Sequence, residues 1–173
     1  EAGRLELEKR CHRLSEISAE AVQSLRAALE KEGLAVETIQ TNDPEIELDR
    51  HRIYQVLTNL LSNATRYAPA GSTITIEIEV DERCAKVAVE DAGPGIDPVF
   101  HDAIFDKFFQ VATPQQHQAQ RSGSSGIGLA IFRGIIEALG GRIWVESALG
   151  QGSRFLFRLP VKAACGKGPQ LAL

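Results

Sequence analysis

Apolar positions recur along the chain with a helical period in some stretches and a strand period in others. Leu14, Ile17, Ala21, Leu25 and Leu29 fall three or four residues apart, which predicts one helix face, and Gly33 suits the position just past its end. Ala35 to Gln40 alternates like a strand, Thr41-Asn42-Asp43-Pro44 reads as a turn, and Glu45 to Leu48 as a second short strand. Asp49 is placed to cap the next helix. In that helix Ile53, Val56, Leu57, Leu60, Leu61 and Ala64 form a core stripe, and Pro69 to Ser72 end it. Thr73–Val80 and Cys84–Glu90 alternate on either side of Asp81-Glu82-Arg83, the pattern of an antiparallel hairpin. Asp97-Pro98 opens a short helix carrying Val99, Phe100, Ile104 and Phe105. Gln110 to Ser125 is rich in Gln, Ser and Gly, as in a lid or an insert. Leu129 to Leu139 is an amphipathic helix closed by Gly140-Gly141. Arg142–Ser147 and Ser153–Leu159 are strands about a glycine turn, and Pro160 ends the last one. The sum predicts an α/β two-layer sandwich. Its sheet is mixed and largely antiparallel, of about five strands, with three helices on one face.

Composition narrows the class. The chain has 173 residues, 43% hydrophobic and 24% charged, with a net charge of −4. That suits one globular domain and gives no sign of nucleic-acid affinity. No apolar run approaches the roughly 20 residues of a membrane helix, and no signal peptide is visible. The three cysteines, Cys11, Cys84 and Cys165, are scattered without a CxxC pair. This spacing predicts a reducing compartment, no disulfide framework and no zinc site. The chain has no Met, so it reads as a piece of a longer protein.

The long central helix has a second face. Asn59, Asn63 and Arg66 lie four and then three residues apart, about a third of a turn from the apolar stripe. Asn is a poor helix former, so two on one line call for a role beyond solvation. An Asn side-chain oxygen can hold Mg²⁺, which takes few protein ligands and keeps water and phosphate for the rest. Two glycine turns stand at element ends. In Asp91-Ala92-Gly93-Pro94-Gly95 a carboxylate at a strand end can accept from an amine, while the backbone comes close to a flat ligand. Gly126-Ile127-Gly128 exposes backbone N–H groups at a helix start, a setting for phosphate. Each turn alone is a weak signal, since turns need glycine anyway. Together with the Asn face they form a set suited to a nucleotide. There is no GxxxxGK[ST] loop and no supported Rossmann fingerprint.

These residues in this order resemble the ATP-binding catalytic domain of sensor histidine kinases, in the GHKL superfamily. Asn59-Leu60-Leu61-Ser62-Asn63-Ala64-Thr65-Arg66-Tyr67 resembles the N box, and Asp91 to Ile96 the G1 box. Ile104-Phe105-Asp106-Lys107-Phe108-Phe109 resembles the F box, and Gly126 to Ile131 the G2 box. Gly150-Gln151-Gly152-Ser153 resembles the glycine turn before the final strand. The likeness spans roughly residues 15 to 160. It implies ATP and Mg²⁺ as cofactors, with Asn63 as metal ligand and Asn59 and Arg66 beside metal and phosphates. Arg66 stands where the family usually has Lys. Asp91 would bind the adenine amino group. Tyr67, Gly93, Gly95, Ile96 and Phe105 would line the nucleotide, and Ser125, Gly126, Ile127, Gly128 and Leu129 its phosphates. Gln110 to Ser125 would be the ATP lid. ATPase members carry Glu where this chain has Asn59, so transfer to a nucleophile is expected rather than hydrolysis.

The resemblance also implies domains and partners. Residues 1–13 would end a dimerisation hairpin and linker, 14–161 would be the catalytic domain, and 162–173 a disordered tail. His12, His51, His101 and His117 lack the phosphoacceptor context. The acceptor histidine would therefore lie on a dimerisation domain of the same full-length protein, which in turn would serve a response regulator. A monomer in a bacterial cytoplasm is expected, with a membrane anchor on the full-length protein left open. The alternatives are an anti-sigma-factor-type serine kinase and a degenerate nucleotide-binding docking module.

Overall fold

The computed structural model describes residues 6–109, 128–162 and Cys165. Alternation along the chain becomes a five-stranded sheet. β2 (Ala35–Thr41) lies parallel to β4 (Thr73–Val80), which pairs antiparallel with β5 (Cys84–Asp91). β5 then pairs with β7 (Ser153–Pro160), and β7 with β6 (Arg142–Ser147), both antiparallel. The order is β2-β4-β5-β7-β6. One face of each central strand is apolar. Ile74, Ile76, Ile78, Val87, Val89 and Phe157 are buried there beneath the helices. The other face carries Glu77, Glu79, Lys86 and Arg158, residues whose side chains gain from water. The two-layer mixed sheet predicted by the patterning is the fold observed.

Four helices cover the apolar face or flank it: α1 (Leu14–Ser24), α2 (Arg26–Lys31), α3 (Arg50–Tyr67) and α4 (Gly128–Ala138). The single helix expected from Leu14 to Leu29 is broken at Leu25, whose ψ is 4° and whose N–H bonds back to the Val22 carbonyl at 3.1 Å. A hydrophobic period continues through such a break because Ala21 and Leu29 are still buried on either side of it. Gly33, at φ +65°, ends α2 as its place in the chain predicts. In α3 every residue of the predicted stripe is buried, and Asp49 caps the helix by accepting from the Arg52 N–H at 3.0 Å. The short helix expected after Asp97 is two 3-10 turns, Pro98–Phe100 and Ala103–Phe105. Asp97 does cap the first, accepting from the Val99 N–H at 3.0 Å, but Val99 itself is exposed while Ile104 and Phe105 are buried.

The chain ends meet where no pattern pointed. β1 (Arg10–His12) pairs antiparallel with β3 (Ile46–Leu48) in a separate two-stranded sheet. Cys11 of β1 is joined to Cys165 by a disulfide, with Cα atoms 5.9 Å apart. The expectation of no disulfide is therefore overturned. The two residues are 154 positions apart, and only the folded path of the chain brings them together. Cys84 is the free thiol. The expected lid at Gln110 to Ser125 lies outside the described residues, as does the expected tail, 162–173, apart from Lys162 and Cys165. Among the described residues no helix is long and apolar enough to cross a membrane.

Candidate functional site

The site is built where α3 ends against the end of β5. β5 runs its apolar residues into the core and finishes on Asp91, a carboxylate only 6% exposed. Its Oδ1 accepts the Gly93 N–H at 2.8 Å, which folds the chain sharply after the strand. Burial pushes the Asp91 carboxyl up to about 6. The Gly93 N–H opposes that rise, the neighbouring Glu90 adds to it, and the Ser153 N–H opposes it. A carboxylate offers about four acceptor positions and the Gly93 and Ser153 N–H groups engage two, so capacity remains for a donor on a ligand.

Gly93 is tied to α3 by close approach. A Cβ there would meet Asp91 Oδ1 at 2.6 Å and the Tyr67 carbonyl oxygen at 2.9 Å. The last turn of α3 and the Asp91 turn therefore touch through backbone, and only glycine fits. The β6–β7 turn backs the same corner. Gly95, at φ +77°, would drive a Cβ into the Ala148 carbonyl at 2.0 Å, and Gly152, at φ +76°, into the Asp91 carbonyl at 2.0 Å. Gly150 N–H bonds the Pro94 carbonyl at 2.7 Å. Ser147 Oγ accepts from the Ile96 N–H at 2.7 Å, donates to the Gly152 carbonyl at 2.6 Å, and lies 3.1 Å from Ser153 Oγ. Ser147 and Ser153 thus hold the carboxylate turn. Sequence reasoning missed them as positioning residues, and the only signal was the glycine turn between them.

On α3, Asn59 and Asn63 are half-buried and Arg66 is exposed. Asn59 Nδ2 donates to the Gln55 carbonyl at 2.8 Å, leaving its side-chain oxygen as an acceptor. Asn63 makes no side-chain hydrogen bond among the described residues. Tyr67 is half-buried beside Gly93. Ile96 is half-buried and fixed by Ser147. Phe105, by contrast, packs into the core, 5% exposed and edge-on to Phe155 at 6.3 Å between centroids. Gly128 and the half-buried Leu129 open α4, where a Cβ on Gly128 would press on the Phe132 ring at 3.3 Å. Ser125, Gly126 and Ile127 lie outside the described residues.

Among the described residues no cluster of three His, Cys, Asp or Glu side chains could hold a metal ion unaided. The donor set on α3 is one free amide oxygen with a second a turn away. That fits Mg²⁺ held jointly by an Asn and a ligand's phosphates and waters, and does not fit an all-protein metal cage.

Comparison with known proteins identifies the family. A profile of the family described as histidine kinase-, DNA gyrase B-, and HSP90-like ATPase matches residues 48–163. The chain is 41% identical over 123 residues to the adaptive-response sensory kinase SasA of Synechococcus sp. (strain JA-2-3B'a(2-13)), covering 70% of this chain and 31% of that protein. It is 35% identical over 129 residues to the sensor histidine kinase WalK of Bacillus subtilis (strain 168), covering 73% and 21%. It therefore spans about a third or less of the length of these relatives. Among solved structures it superposes on the catalytic domain of histidine kinase ThkA with a TM-score of 0.76 at 30% identity, covering 90% of this chain and 98% of that one. In the structure of ThkA in complex with the response regulator protein TrrA the TM-score is 0.75, covering 90% of this chain and 42% of the other. With a family profile matched over two thirds of its length and relatives up to 41% identical, the chain belongs to the histidine kinase-, DNA gyrase B-, and HSP90-like ATPase family, as an ATP-binding catalytic domain of the sensor-histidine-kinase kind.

Proposed function

We propose that this chain binds ATP with Mg²⁺ and delivers the γ-phosphoryl group to a histidine on a dimerisation domain of its full-length protein, for onward transfer to a response regulator in the bacterial cytoplasm. The observation that carries the reading is the buried Asp91 at the foot of α3, with Asn59 and Asn63 on the same helix. Asp91 accepts a hydrogen bond from the adenine amino group. Guanine presents a carbonyl oxygen at that position, so two acceptors would face each other. Losing a hydrogen bond to a charged group costs about 1.5–3 kcal/mol, or about ten- to 150-fold in affinity.

Tyr67 and Ile96 flank the base, and the glycine turn lets the backbone pass it. Asn63 lends its side-chain oxygen to Mg²⁺, and Asn59 stands one turn before it. Arg66, Gly128 and Leu129 meet the phosphates, together with Ser125, Gly126 and Ile127. Phe105 supports the wall from the core side. Bound Mg²⁺ would neutralise the charge that gathers on the phosphate oxygens. Asn59 is an amide and takes no proton at neutral pH, so this chain positions the nucleotide without activating water. In the transfer the bond from the γ-phosphorus to the bridging oxygen breaks as a bond to the acceptor imidazole nitrogen forms. ADP leaves, and the imidazole proton passes to solvent. Catalysis then rests on positioning and charge neutralisation.

Isothermal titration of the chain with ADP, ATP and GTP, with and without Mg²⁺, tests this reading. Micromolar to sub-millimolar binding of the adenine nucleotides, strengthened by Mg²⁺, is expected, and equal binding of GTP would overturn the base assignment. In Asn63→Ala the affinity should lose its dependence on Mg²⁺. If the dependence persists unchanged, the metal ligand is another residue.

A further inference from the structure

The pole of the domain away from Asp91 holds the Cys11–Cys165 pair, which the nucleotide site does not use. In β5 the residue at that end is Cys84, paired in register with Pro160, whereas Asp91 pairs with Ser153. Eight residues of strand put these ends about 23 Å apart. β7 therefore delivers the chain to the far pole, where the Val161 N–H bonds the Arg83 carbonyl at 2.9 Å. A cleft there has Lys9, Glu47, Leu48, Leu159, Pro160 and Lys162 among its lining residues. Beyond it Cys165 lies against the start of β3, its N–H bonded to the Glu45 carbonyl at 3.0 Å. Cys11 stands in β1 opposite Glu47. The disulfide thus fastens the outgoing chain to the leading strand.

We propose that Cys11 and Cys165 form a reversible thiol–disulfide exchange site, with low-molecular-weight disulfides and thiols of the glutathione class as its co-reactants, and that the closed bond holds β1 in place beside the start of α3. Cys11 is exposed and Cys165 half-buried, so a small thiol can reach the bond, as it cannot reach a disulfide sealed in a core. In the closing direction one protein thiolate attacks the small disulfide and releases one thiolate. The second protein thiolate then attacks the mixed disulfide, forms the Cys11–Cys165 bond and releases the other. The two protons lost by the protein thiols end on the two small thiols, and the two electrons reduce the small disulfide. A reduced thiol runs the same steps backwards. Cys84 is at the same pole, but burial and then the neighbouring Asp81 charge push its thiol up, so it makes a poor competing nucleophile.

The bond has something to hold. β1 is three residues long and, among the described residues, pairs with β3 alone. Just before it, the Glu8 N–H donates to Asp49 Oδ2 at 2.9 Å, while Asp49 Oδ1 caps α3. The leading strand, the cap and the helix carrying Asn59 and Asn63 are therefore one connected path. A strand pair this short opens easily by itself. A covalent tie to Cys165 restricts that opening.

The test is equilibration of the whole chain in glutathione buffers from fully reduced to fully oxidised, followed by acid quench, alkylation under denaturing conditions and mass mapping. Three alkylated cysteines are expected at the reduced end and one, Cys84, at the oxidised end, with a midpoint independent of protein concentration. A bond that persists in the folded chain at the reduced end would overturn exchange. Glutathione adducts or intermolecular links in place of the Cys11–Cys165 bond would overturn the pairing. Hydrogen exchange of residues 8–12 should be at least about tenfold slower in the oxidised chain than in the reduced chain or in Cys165→Ser. Equal exchange would show that the bond holds nothing. The reduced wild type serves as the second reference if the variant folds poorly.

Discussion

A single buried carboxylate sets the balance between binding and stability here. Asp91 gives up hydration to sit at the end of β5, and burial raises its carboxyl from 3.8 to about 6. A raised folded value means the native state prefers the protonated form. Stability is fully present below the unfolded value near pH 4 and is lost as pH rises through about 6. A shift of two units at about 1.4 kcal/mol each sets a ceiling of about 3 kcal/mol. Asp91→Asn keeps an oxygen for the Gly93 N–H but carries no charge. At pH 7.5 it should be about 1–2 kcal/mol more stable than wild type, since amide burial offsets part of the ceiling. The difference should vanish below pH 4 in urea titrations. Its ADP affinity should fall at least about tenfold, because an amide N–H₂ would then face the adenine amine. Wild-type affinity in this variant would place the adenine elsewhere. Asp91 was legible in the sequence, as a carboxylate before two glycines at the end of an alternating run. Ser147 and Ser153 were not, because their role depends on a β6–β7 turn folding onto a β5 turn 51 residues earlier in the chain.

Among the elements, α3 joins the two poles. Its 18 residues span about 27 Å, from the Asp49 cap beside β1 to Tyr67 beside Gly93. Asp49 is 4% exposed and serves two N–H groups, those of Arg52 and Glu8. Asp49→Ala should cost about 1–2 kcal/mol, seen as a lower urea midpoint with an unchanged slope. Gly152→Ala disturbs the opposite pole, since a Cβ there meets the Asp91 carbonyl at 2.0 Å in a left-handed backbone. It should cost at least about 2 kcal/mol and weaken ADP binding more than Asp49→Ala does. The reverse ranking would mean that the β6–β7 turn does not position the carboxylate. Helix existence and the hairpins followed from periodicity, because one-sided burial imposes it. The break at Leu25 and the 3-10 turns after Asp97 did not follow. Backbone angles at one or two residues leave no trace in an apolar pattern.

For the whole molecule, ligand binding and folding are linked. Saturating ADP at about a hundred times its dissociation constant adds about 2.7 kcal/mol. At about 2–4 °C per kcal/mol for a chain of this size, the melting temperature should rise about 5–10 °C with ADP and at most about half as much with GTP at the same concentration. An equal rise with both nucleotides would count against adenine selection. The sequence by itself determined the strands of the main sheet and the long helices α3 and α4, the apolar side of each, and the residues proposed for a nucleotide. Each of these is written locally, in spacing and residue type. Only the tertiary structure decided that β2 lies parallel to β4, that β1 and β3 leave the main sheet, that Phe105 faces the core, and that Cys11 meets Cys165. Those outcomes depend on where the sheet's packing carries segments distant in sequence, and no local spacing encodes that.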